Sequence, residues 1–135
     1  MASEQAWHEA VVNELELGRV AFVSGRYFGA HRAWLEPWRA ASGHRRALLQ
    51  GLIQAAGAYL KLKRGNPAGM AILLDRALER LDTLPAELCG LDLEGFRAGL
   101  RRSRVEATAW RGGGPVPCGP AWLGRASPKD PGTGR

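Results

Sequence analysis

The stretch from His44 to Arg64 is the most restrictive part of this chain. Ala47-Leu48-Leu49, Leu52-Ile53, Ala55-Ala56 and Ala58-Tyr59-Leu60 place apolar side chains on several faces of one helix. A helix apolar most of the way round has to be enclosed by others, so it reads as the central member of a bundle. Gly51, Ala55 and Ala58 are small and invite close approach by a neighbour. Arg64-Gly65-Asn66-Pro67 then stops this helix and starts the next: Gly at the C-terminal turn, Asn as N-cap, Pro at the first helical position.

The other helices follow from the same periodicity. Residues 3–24 place Trp7, Val11, Leu15 and Phe22 near a 3.6-residue repeat, with acids between them. Gly18 weakens that helix by about 1 kcal/mol relative to Ala and marks a point where it could break. A second helix begins near Tyr27, and Pro37 is expected to end or kink it. A fourth, Pro67 to about Asp82, carries Met70, Leu73, Leu74, Ala77, Leu78 and Leu81 on one stripe. After a loop through Cys89-Gly90, Asp92 caps a fifth with Leu93, Phe96, Leu100, Ser103, Ala107 and Trp110 inward. No strand alternation or internal repeat is visible. The fold class is all-α: a single irregular bundle of about five helices over residues 3–111.

Beyond Arg111 the texture changes. Half of residues 112–135 are Gly or Pro, so this segment is expected to be a disordered, flexible basic tail, with the Trp122-Leu123 pair as its one apolar feature. The net charge of +6 is uneven. Residues 1–100 hold 12 basic and 11 acidic side chains, and residues 101–135 hold 7 and 2.

Several function classes are disfavoured. No apolar run approaches the ~18 residues of a membrane span. The start, MASEQAWHEA, has no signal-peptide pattern. Cys89 and Cys118 form neither a disulfide framework nor a zinc signature, which fits a reducing cytoplasm. There is no phosphate-binding Gly-x-x-x-x-Gly-Lys loop, no Gly-x-Ser-x-Gly and no catalytically spaced carboxylate pair. No cofactor is expected, and no metal site is expected from His8, His31 and His44.

The stretch from Phe22 to Leu100 resembles a family catalogued as domain of unknown function 309. The residues that carry the resemblance are Gly25-Arg26-Tyr27-Phe28, Ala30-His31, Trp38-Arg39, Arg46 through Ala56, Arg64-Gly65-Asn66 and Gly90-Leu91-Asp92. The resemblance implies a small, irregular, all-helical bacterial array and no particular activity. The family's second helix typically has acids one and four residues after its His. Here those positions are Arg32 and Leu35, and only Glu36 matches an acidic position.

Three readings of function stay open. In the first, a non-catalytic domain binds a partner or small polar ligand, or self-associates, through a cleft between helices two and three. Its polar cluster is His31, Trp34, Trp38, Gln50 and Gln54. Gln50 and Gln54 lie one turn apart in the most apolar helix, where a buried unpaired amide costs about 1–3 kcal/mol. In the second, a small hydrolase-like or metal-assisted enzyme uses His31 and Glu36. In the third, a weak nucleic-acid binder uses the tail and the basic stripe Arg97, Arg101 and Arg104 as anion-binding residues.

Overall fold

The computed structural model describes residues 2–126, with side chains from residue 13 onward. Five helices form an all-α array: α1 (Ala2–Val23), α2 (Tyr27–Ala40), α3 (Gly43–Lys63), α4 (Pro67–Leu81) and α5 (Leu93–Arg111). The side chains of Trp7 and Val11 lie outside the described residues. The cap signals act as expected. Gly65 turns with φ +72°, and the Asn66 side chain accepts the Gly69 amide at 2.8 Å. Asp92 accepts the Gly95 amide at 3.0 Å.

An aromatic cluster joins four helices. Phe22 of α1 meets Tyr27 of α2, Tyr59 of α3 and Phe96 of α5 edge-on, with centroids 5.5–5.6 Å apart. Trp34 of α2 lies 6.1 Å away, tilted. Such pairs contribute about 0.5–1.5 kcal/mol each beyond the area they bury. Leu48, Leu49, Leu52, Met70, Leu74, Leu81 and Leu100 extend this core around α3, which is the enclosed helix.

Three local expectations are revised. Helix α1 does not break at Gly18. A Cβ there would overlap the Trp34 indole, so the glycine is a notch that seats the tryptophan. Helix α2 runs through Pro37 to Ala40. Pro37 gives up one helical donor, but it is buried and the helix resumes for three residues. The Cys89-Gly90 loop is the tip of a two-residue hairpin, β1 (Glu87–Leu88) and β2 (Leu91–Asp92), paired antiparallel. Both tip residues have positive φ, +52° and +79°, which is the twist a tight two-residue hairpin needs. Gly51 lies against α4, where a Cβ would come within 2.6 Å of Leu81 Cγ.

The Gly/Pro-rich segment is docked as far as it is described; residues 127–135 lie outside the described residues. Leu123 is fully buried and Ala121 nearly so, while Trp122 between them points out and is 67% exposed. Gly99 gives the room: a Cβ on it would come within 2.7 Å of Ala121 Cβ. Backbone pairing completes the docking. The Asp92 amide donates to Gly124 O at 2.9 Å, and the Ala126 amide donates to Gly90 O at 2.8 Å. Arg125 pairs with Glu16 of α1, which also accepts from Arg19 Nε at 2.7 Å. Arg19 in turn donates to Leu123 O at 3.2 Å. The expected disorder therefore does not extend over residues 114–126, because the segment supplies strand-like pairing that composition does not reveal.

Two measurements check this packing. Gly18→Ala is expected to destabilise by about 1–3 kcal/mol despite its better helix propensity, because the methyl would displace Trp34. Gly29→Ala is expected to stabilise by about 0.5–1 kcal/mol, since its Cβ would meet only ordinary contacts at 3.8 and 3.9 Å. Equal effects of both in denaturant unfolding would contradict the notch. The second concerns Glu16, whose carboxyl is lowered from 4.5 to about 2 by its hydrogen bonds from Arg19, then Arg125. A depressed folded-state value adds stability that is full above 4.5 and fades as pH falls towards 2. Glu16→Gln should therefore flatten the acid dependence of the unfolding midpoint across that window. An unchanged slope would refute the pairing.

Candidate functional site

The side chains expected to form a polar cluster between α2 and α3 occupy separate settings. Trp34 is fully buried, and its indole N–H donates to Leu15 O at 3.3 Å. It is a core residue with no face open to a ligand. Trp38 lies beneath the Arg46 guanidinium, 4.2 Å from the ring centroid. Arg46 also donates to Trp38 O at 3.2 Å and Ala41 O at 3.4 Å, closing the end of α2. His31 is half-buried, and among the described residues no hydrogen bond joins it to Gln50 or Gln54.

The glutamines face another way. Gln54 stands three residues from both Gly51 and Gly57, about 60° round the helix from each. Both glycines lie against α4, at Leu81 and Leu73, so Gln54 occupies the strip of α3 that faces α4. Gln50, one turn earlier, shares that side. Gln54 Oε1 and Trp38 Nε1 are buried with no hydrogen-bond partner among the described residues.

Glu36, the proposed partner of His31 in chemistry, pairs instead with Arg39 on the surface. Arg32 lies over the exposed Phe28 ring, 5.9 Å from its centroid. Among the described residues no group of three or more His, Cys, Asp or Glu side chains is placed to hold a metal ion.

The basic stripe is used within the fold. Arg97 donates to Leu81 O at 2.7 Å and Leu84 O at 2.8 Å, satisfying carbonyls at the end of α4. Arg101 pairs with Asp82, and Arg104 with Asp75 at 2.8 Å. These three side chains therefore join α5 to α4, which gives their helical spacing a structural cause. A phosphate would have to compete with partners already in place.

A cavity of about 420 Å³ lies on the other side of α5. Gly99, Arg102, Ser103 and Glu106 form its floor, and residues 118–122 form its wall. Ser103 is buried, 3% exposed, with its Oγ 2.7 Å from the Tyr59 hydroxyl. The Tyr59 oxygen also accepts the Ala121 amide at 3.0 Å, which ties the wall to the aromatic core. Burial pushes the Tyr59 hydroxyl above the ordinary phenol range, while Ser103 and Ala121 partly offset this. A smaller hollow of about 120 Å³ adjoins the groove and shares Glu106 and Cys118. Among the described residues neither the Arg102 nor the Glu106 side chain forms a hydrogen bond or ion pair.

Sequence reasoning missed this groove because its wall comes from the Gly/Pro-rich segment. The available signal was Ser103, a hydroxyl on the buried stripe of α5 that needs a partner.

The buried amide of Gln54 generates a test. Gln54→Met keeps the length and removes the unpaired acceptor, so it is expected to be neutral or stabilising by up to about 2 kcal/mol. A loss of more than about 1 kcal/mol in denaturant unfolding would show that the amide is paired.

No curated protein matches the chain. Residues 15–73 match the family model described as Domain of unknown function (DUF309), a stretch running from α1 into α4, and over it the chain resembles that family.

Proposed function

We propose that this chain is a helical binding domain that takes a small polar ligand in the groove between α5 and residues 118–122. The observation that carries the reading is the groove floor, where Arg102 and Glu106 flank the Tyr59–Ser103 hydroxyl pair without ion partners among the described residues. A volume of about 420 Å³ is in the range that small-molecule sites occupy. Pro120, Ala121 and the exposed Trp122 add apolar surface beside those polar groups. The α2–α3 face offers less. Trp34 is enclosed, Trp38 is covered by Arg46, and Gln54 faces α4.

The test is a two-dimensional NMR screen of the labelled full chain against small carboxylates, phosphates, amines and amino acids. Binding is expected to shift the amides of residues 99–106 and 118–122. Arg102→Ala, an exposed change that leaves the core intact, is expected to weaken it about tenfold or more. Shifts confined to α2 and α3, or none with any compound, would refute the reading.

A further inference from the structure

We infer that the groove ligand is a small zwitterion of the α-amino acid class, an inference that rests on the groove reading above. Arg102 and Glu106 stand one turn apart on α5 and line the same cavity. A guanidinium with a carboxylate one turn away disfavours a simple anion, which the carboxylate repels. It disfavours a simple cation for the converse reason. It suits a molecule that carries both charges close together, with its carboxylate on Arg102 and its ammonium on Glu106.

The two side chains do not neutralise each other. A basic residue four positions before an acid is the weaker order for a helical ion pair. No ion pair joins them in the structure, although the spacing allows one. Both charges lie close enough to act on the Tyr59 hydroxyl, Glu106 raising and Arg102 lowering its proton affinity as their signs require. The Tyr59 and Ser103 hydroxyls bond each other, and the Tyr59 oxygen accepts the Ala121 amide, which uses one of their two hydroxyl protons. The two charged groups are the floor's ionic recognition elements. Pro120, Ala121 and Trp122 then offer an apolar wall for the ligand's side chain.

The experiment compares L-leucine, N-acetyl-L-leucine and L-leucinamide by NMR titration of the full chain. The acetyl compound lacks the ammonium, and the amide lacks the carboxylate. L-leucine is expected to bind in the groove, with each blocked compound weaker by about tenfold or more. Arg102→Gln is expected to abolish the preference for leucine over leucinamide. Glu106→Gln is expected to abolish the preference over N-acetyl-leucine. Equal binding of leucine and N-acetyl-leucine would overturn the zwitterion while leaving a groove that binds anions. Groove shifts with other polar compounds and none with these three would do the same for the amino acid class. No groove shift with any compound would overturn both readings.

Discussion

Phe22 meets an aromatic ring from each of three other helices, and the arrangement of the chain depends on it. Its partners Tyr27, Tyr59 and Phe96 come from α2, α3 and α5, with ring centroids at nearly equal distances. Edge-on contact fixes orientation as well as separation, because the ring edge is positive and the ring face negative. Trp34 joins from the side only because Gly18, one turn before Phe22, leaves room for the indole. An Ala at 18 or a smaller residue at 22 would therefore disturb α1, α2, α3 and α5 together.

Most of this core falls within the stretch that matches the family model. The matched residues 15–73 include Gly18, Phe22, Tyr27, Trp34 and Tyr59, so they hold four of the five rings. Only Phe96 lies outside. The groove residues of α5 and its wall also lie beyond the match. The groove has to be argued from this chain's own side chains.

Helix limits were legible because caps and stops are local chemistry. Gly65-Asn66-Pro67 needs no tertiary information, and the enclosed character of α3 follows from its apolar circumference. Which neighbour each face of α3 meets was not legible. Periodicity places Gln50 and Gln54 on one side of the helix but does not say whether α2 or α4 covers it; the notches at Gly51 and Gly57 decide for α4. The basic stripe of α5 posed the same problem. Its spacing was visible in the sequence, whereas the acids and carbonyls of α4 that occupy it were not. Composition failed most plainly at residues 114–126. It weighs side chains, and this segment is held by one buried leucine, a glycine-sized gap in α5, and main-chain bonds to the hairpin.

Tyr59 makes the core and the groove one construction. Its ring packs in the aromatic cluster, and its hydroxyl takes the Ala121 amide and the Ser103 oxygen at the cavity floor. A phenol is the one aromatic side chain that can fill the core with its ring and still present a group that both donates and accepts at the edge. The wall is thus registered against the helices at Tyr59, and again at the far end by Arg125 on Glu16. Two anchors on either side of a buried Leu123 hold residues 118–122 at a fixed distance from α5. A groove built this way keeps its shape without being buried, which is what a site needs if Arg102 and Glu106 are to stay solvated until a ligand displaces water from them.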